Sequence, residues 1–173
     1  TARRLPRAHR GAWKWPEPRL TYDNGRIPEA LIAAGALLDD DNMDADGLDL
    51  LEWLIKTETG ERGFSFTPVG GRGPGERGPA FDQQPIEAWA MADACLRAIS
   101  VDGGSLWATG LAAAAAWFLG RNDTGALLYD HSTGAGYDGL EAGGVNLNRG
   151  AESTLSALGA LQAGHRLVRA PVG

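Results

Sequence analysis

Phe81-Asp82-Gln83-Gln84-Pro85-Ile86-Glu87-Ala88 is the stretch that decides the fold, because a polar loop ends within it and a helix begins. Proline at the first helical position and glutamate in the first turn are typical of helix amino ends. Two other stretches open in the same way: Tyr22-Asp23-Asn24 before Pro28-Glu29-Ala30, and Asn146-Leu147-Asn148 before Gly150-Ala151-Glu152-Ser153. Their spacing of about 60 residues predicts three copies of one unit of two helices and their loops.

Working outward from these openings, apolar residues recur with helical spacing in five segments: 28–38, 46–57, 85–99, 105–119 and 150–168. The connections alternate between short ones (39–45, 100–104) and long, glycine-rich ones (60–84, 120–149). This alternation predicts an all-α domain of repeated α/α-hairpins. Its first, third and fifth helices are then parallel, and every long loop lies on one face.

Composition predicts one domain and limits its partners. A chain of 173 residues with 43% hydrophobic residues suffices for a single core, so we interpret 1–173 as one domain with a flexible end at 1–12. The net charge of -6 argues against a nucleic-acid partner, even though four arginines lie within the first ten residues.

Other features argue against a membrane, a metal or a disulfide scaffold. The longest apolar run, 106–119, is shorter than the roughly 18 residues that cross a bilayer. Without a signal-peptide pattern, and with the lone Cys95 in an apolar helical pattern, we expect a cytoplasmic protein. The three histidines are isolated, so we expect no metal site and no cofactor.

Four motifs in order carry a resemblance to a known family. They are residues 81–88, Trp117-Phe118-Leu119-Gly120-Arg121-Asn122-Asp123, Tyr137-Asp138-Gly139-Leu140, and residues 146–155. In this order they resemble a bacterial family of α/α-toroid, six-hairpin glycosidase-like domains, described as glycosyltransferases or glycosidases and often attached to a glycosyltransferase module. The resemblance covers most of the chain from Trp13 onward. It implies a partial (α/α)6-toroid, a carbohydrate substrate and action on glycosidic bonds.

Carboxylates at the helix openings are the candidate catalytic groups. Hydrolysis of a glycosidic bond normally uses two carboxyl groups, one as acid and one as base or nucleophile. We expect Glu87 to be the general acid, with Asp82 or Glu152 as the base. The alternative for each glutamate is a capping role, since an acidic side chain in a first helical turn is favoured by the helix dipole.

Aromatic and amide side chains in the long loops are the candidate sugar-binding groups. Sugar rings offer apolar faces and hydroxyl edges, so flat aromatics and hydrogen-bonding side chains suit them. We expect stacking on Trp13, Trp15 and Tyr137. Hydroxyl recognition is assigned to the amides and carboxylates of the loops: Asp23, Gln83, Gln84, Asp138, Asn146 and Asn148.

Two classes of function follow from these residues. The first is an enzyme acting on glycosidic bonds through its acids, as a glycosidase or beside a glycosyltransferase. The second is a noncatalytic module that binds glycan or scaffolds a transferase. Since two hairpins and a fifth helix leave one flank without a neighbour, we expect an apolar flank there. A glycosyltransferase module or a second copy of the chain is the expected partner.

Overall fold

The computed structural model describes residues 12–169, and five helices run through them. They are α1 (Arg26–Leu38), α2 (Asp41–Glu58), α3 (Pro85–Val101), α4 (Ser105–Phe118) and α5 (Ala151–Arg169). All five predicted helical segments are therefore present. The main difference is that α2 begins five residues early, because the Asp40 side chain accepts hydrogen bonds from the N–H groups of Asn42 and Met43 and caps the helix there.

The prediction of an all-α toroid is wrong, because the long loops contain strands. Three antiparallel pairs lie among the described residues: β1 (Thr59–Gly60) with β2 (Gly63–Phe64), β3 (Tyr129–Asp130) with β4 (Ala135–Gly136), and β5 (Gly139–Glu141) with β6 (Gly144–Asn146). The domain is a mixed α/β structure. Strands of two or three residues with glycine in most of them are too short to show a period-two pattern, so the sequence did not predict them.

Helix α3 lies at the centre of the helical layer and packs against α1, α4 and α5. Glycines allow the close approach of its neighbours. A Cβ on Gly25 would lie 2.5 Å from the backbone carbon of Ala90, and one on Gly159 would lie 2.4 Å from Nε1 of Trp89. The start of α1 and the middle of α5 are thereby held against the same part of α3.

The core extends from the helices into the long loops. Phe66, on the loop after β2, is fully buried and packs edge to face on Trp117 of α4, with ring centroids 5.6 Å apart. Trp15, before α1, is 1% exposed and stacks on Trp53 of α2. The loops and the helices thus share one hydrophobic core.

On α5, Leu155 is 58% and Leu158 37% exposed. That they belong to the expected apolar flank, and that a partner covers it, stays a prediction. Among residues 12–169, no helix is both long and apolar enough to cross a lipid bilayer. The end predicted to be flexible, 1–12, lies outside the described residues except for Ala12.

Candidate functional site

The amino ends of α1, α3 and α5 meet, and Glu87 lies at their centre. Its carboxylate is 3% exposed and accepts hydrogen bonds from the backbone N–H groups of Asp23 and Asn24 and from the Asn24 side-chain amide. Burial raises the pKa of Glu87 to about 8, and the nearby charge of Glu58 adds to the rise while the hydrogen bonds oppose it. Glu87 therefore anchors the segment that opens α1.

Asp23 stands on the surface side of Glu87. Its backbone adopts the left-handed region with φ 53°, which Asp tolerates better than most residues. Its Oδ1 atom is buried and lies 3.3 Å from Arg26 Nε, without the geometry of a hydrogen bond. Burial raises the pKa of Asp23 although Arg26 opposes the rise, so this carboxyl holds its proton to higher pH than an ordinary aspartate.

Glu152 reaches the same place from α5. The hydroxyl of Tyr22 donates a hydrogen bond to Oε2 of Glu152 across 3.1 Å, and both side chains are exposed. The pKa of Tyr22 is raised by its own burial first, then by Glu152, Asp23 and Glu87. Tyr22, Asp23, Glu87 and Glu152 therefore form one group, which we call the helix-end cluster.

Arg26 ties a second layer of acids to this cluster. Its guanidinium lies 2.8 Å from both Glu29 and Asp93, and it sits over the ring of Trp89 at 5.2 Å from the centroid. The ion pair with Arg26, which lies in the first turn of the same helix, thus holds Glu29 beside the helix-end cluster. Neither Arg26 nor Asp93 was singled out from the sequence: Arg26 is the first residue of α1, and Asp93 lies in the middle of α3.

Gln83, expected to bind sugar hydroxyls, is instead a buried structural residue. Its Oε1 accepts from Phe66 N at 3.2 Å and from Trp117 Nε1 at 3.4 Å, while its Nε2 donates to Ala80 O and to Asp123. All its hydrogen-bonding capacity is used inside the protein. Gln84, the next residue, is half-buried and lies near Gly139.

Asp138 is also engaged within the fold. Its Oδ1 accepts from Gly150 N at 2.7 Å and from the Ser153 hydroxyl, so it caps the start of α5. Asn146 accepts from the backbone N–H of Asn148 in a turn. Both asparagines therefore shape the approach to α5, and Asn148 is exposed.

The predicted aromatic residues are found in three different surroundings. Trp15 is a core residue, which corrects its assignment to sugar stacking, because a ring that is 1% exposed has no free face. Tyr137 is half-buried, with the Arg149 guanidinium over its ring at 5.0 Å. Trp13 is half-buried and lines a cleft formed by other segments.

Asp82 does not join the helix-end cluster through any hydrogen bond among residues 12–169. Its side chain is exposed, and its carbonyl oxygen accepts from Val69 N within the long loop. Of the three predicted catalytic acids, Glu87 is bonded directly to Asp23, and Glu152 is linked to the same segment through Tyr22.

A second buried carboxylate, Glu58 at the end of α2, was missed by the sequence analysis. It accepts from the N–H and the hydroxyl of Thr67 at 2.9 and 2.7 Å, and burial raises its pKa although Arg72 opposes the rise. An acid at the end of an amphipathic helix gives no sign in sequence that a loop will fold over it. Within the described part of the chain, no three His, Cys, Asp or Glu side chains are arranged to hold a metal ion.

Comparison of the chain with protein-family models gives no match, and a search of curated proteins gives none either.

Proposed function

We propose that this chain is a carbohydrate-active domain that cleaves glycosidic bonds at the helix-end cluster. The observation that carries the proposal is the hydrogen bond from Tyr22 to Glu152, which links the segment bearing Asp23, at one helix opening, to the carboxylate of another. Two carboxyls at one surface are what glycoside hydrolysis requires. The order of motifs shared with glycosidase-like domains supports the same substrate class.

Asp23 is the better general acid, and this revises the expectation for Glu87. An acid has to reach the glycosidic oxygen, and the Asp23 side chain is 28% exposed, whereas Glu87 is enclosed by residues 23 and 24. The raised pKa of Asp23 favours the protonated form of its carboxyl, which donates the proton. Glu87 acts on Asp23 by holding its backbone N–H, so Glu87 is a positioning residue.

Glu152 is the partner carboxylate, as base or nucleophile. The hydrogen bond from Tyr22 fixes one of its oxygens, Oε2, which leaves Oε1 free to act on water or on the sugar. Arg26, which lies 3.3 Å from Asp23, places a guanidinium beside the cluster. Hydrogen-bond donors of this kind suit the hydroxyls of a sugar ring.

The test measures sugar release from 4-nitrophenyl glycosides and from oligosaccharides. Asp23→Asn and Glu152→Gln should each lower kcat/KM by about 10²- to 10⁴-fold, because each removes one proton-transfer group. Tyr22→Phe should lower it less. Glu52→Gln, which removes a surface carboxylate paired with Lys56, is the matched control and should be unaffected.

A noncatalytic glycan-binding module is the second candidate, and one observation favours it. The Glu87 carboxylate is fully used in holding the start of α1, and Asp138 is used in capping α5. If no substrate is cleaved while oligosaccharides still bind to the wild type and to Glu152→Gln alike, the module is a binder and the hydrolase proposal is overturned.

A further inference from the structure

A cleft of about 860 Å³ lies between the end of α2, the β1–β2 turn and the glycine-rich loop 73–79. Trp13 and Trp53 form part of its wall and meet edge to face, with centroids 5.0 Å apart. Each indole N–H is already bonded to a backbone carbonyl, Trp13 to Glu17 O and Trp53 to Ala12 O. The aromatic wall is therefore fixed in place. No residue of the helix-end cluster lines this cleft.

Two buried polar atoms in the lining residues have no hydrogen-bond partner among residues 12–169: Ser65 Oγ and Arg72 Nε. Ser65 is 5% and Arg72 is 4% exposed. Leaving such groups unpaired is unfavourable for the free protein, and native structures keep few of them. An unsatisfied donor and hydroxyl beside an aromatic wall point to a ligand that pairs with them.

The Arg72 guanidinium is held in position by its other nitrogens. One terminal nitrogen donates to Ser65 O at 3.1 Å and to Phe66 O, and the other donates to Gly78 O at 3.2 Å. These bonds fix the position of Nε but leave its N–H group without a hydrogen-bond partner among residues 12–169. Because the donor is already oriented, a ligand loses little free energy in ordering it.

The charges around the cleft are of both signs. Its lining has four cations and three anions: Lys56, Arg62, Arg72, Arg77, Glu61, Glu76 and Asp123. Lys56 is already paired with Glu52, and Glu76 with Arg19 at 2.8 Å. Such a mixture gives no strong attraction for an anion or a cation. It suits a ligand that is neutral and that both donates and accepts hydrogen bonds.

We propose that this cleft binds a neutral saccharide, with a sugar ring packed against the Trp13 and Trp53 wall and one hydroxyl between Arg72 Nε and Ser65 Oγ. A hydroxyl can accept from the Nε–H group and donate to the serine oxygen at the same time. The cleft is a second glycan site, apart from the helix-end acids. This second site rests on the proposed function only for its class of ligand, a saccharide, and it requires no catalysis.

The test compares two serines that share one property. Ser65 and Ser156 each have a buried hydroxyl without a partner in the described part of the chain, but Ser156 lies on α5, away from the cleft. Removing an unpaired hydroxyl should leave the melting temperature of Ser65→Ala and Ser156→Ala equal to that of the wild type or higher. Binding of neutral tetrasaccharides of glucose, mannose, xylose and N-acetylglucosamine is then measured by calorimetry.

For the tetrasaccharide that binds the wild type most tightly, Ser65→Ala should weaken binding about two- to tenfold, the value of one hydrogen bond, and Ser156→Ala should not weaken it. Trp13→Ala should weaken it about tenfold or more. Equal Kd values for wild type, Ser65→Ala and Trp13→Ala would overturn the inference. So would binding of glucuronate or inorganic phosphate with no binding of any tetrasaccharide.

The helix-end variants separate this inference from the proposed function. Asp23→Asn and Glu152→Gln should leave the Kd at the cleft unchanged even though they lower turnover. Loss of turnover with no tetrasaccharide site at the cleft would overturn the inference alone. Intact cleft binding without turnover would overturn the proposed function alone.

Discussion

Glu87 shows how a single buried carboxyl can serve the fold and the site together. Its oxygens accept from two backbone N–H groups and one side-chain amide, so the segment bearing Tyr22 and Asp23 is held by it. Burial and the neighbouring Glu58 raise its pKa to about 8 from an ordinary value of 4.5. Folding is therefore linked to pH through this residue.

The pH dependence of stability is the first prediction at this scale. Below about pH 4.5 Glu87 is protonated in both the folded and unfolded states. Between about 4.5 and 8 the folded state keeps the proton that the unfolded state releases, so the free energy of unfolding falls as the pH rises. Glu87→Gln should flatten this fall. Thermal unfolding followed by circular dichroism from pH 4 to pH 9 measures it.

The control for that experiment is Glu52→Gln, which makes the same substitution at an exposed glutamate of the surface. A wild-type fall in stability that persists unchanged in Glu87→Gln would show that another group is responsible. Glu58, whose pKa is also raised by burial, is the residue to replace next.

At the scale of the elements, the site depends on how closely α1 approaches α3. Gly25 precedes the first turn of α1 and faces the backbone of Ala90, so the main chains of the two helices are in close contact there. Backbone atoms cannot rotate away as a flexible side chain can. The distance between these two helices therefore sets where Asp23 stands over Glu87.

Gly25→Ala is the prediction that tests this packing. Its Cβ would lie 2.5 Å from the Ala90 carbonyl carbon, so α1 has to shift, and we expect a loss of about 1–3 kcal/mol in the free energy of unfolding. Urea denaturation measures the loss. Gly70→Ala, where nothing lies within 4 Å of the added Cβ, should change stability by less than about 0.5 kcal/mol. Equal effects of the two substitutions would contradict the close approach.

At the scale of the whole molecule, the long loops are part of the core and not attachments to it. Phe66 is 0% exposed and contacts Phe64 and Trp117, and its backbone N–H is bonded to Gln83. Leu140, in β5, is buried and pairs with Gln83 through two backbone hydrogen bonds. Loops and helices should therefore unfold together.

Phe66→Ala tests that cooperativity. Removing this buried ring should lower the free energy of unfolding by about 3–5 kcal/mol, with one transition seen equally by tryptophan fluorescence and by far-ultraviolet circular dichroism. Leu155→Ala, at a position 58% exposed on α5, is the control and should have an effect below about 0.5 kcal/mol. Two separate transitions in the wild type would show that the loops fold independently of the helices.

The sequence by itself determined the five helices and the gathering of their odd-numbered openings. Apolar residues at helical spacing, the glutamate of each opening and the prolines of the first two openings are local signals, and local signals are readable in one chain. It also placed Glu87 and Glu152 at those openings, together with the loop residues Tyr22 and Asp23.

Only the tertiary structure decided what each of these groups does. Burial and hydrogen bonding depend on residues far apart in the chain: the loop at Asp23 encloses Glu87, and Phe66 and Trp117 enclose Gln83. The strand pairs likewise depend on pairing between glycine-rich segments that carry no periodic signal. Roles that arise from long-range contacts leave no pattern in neighbouring residues, and for that reason the half-buried Asp23 replaced Glu87 as the candidate acid.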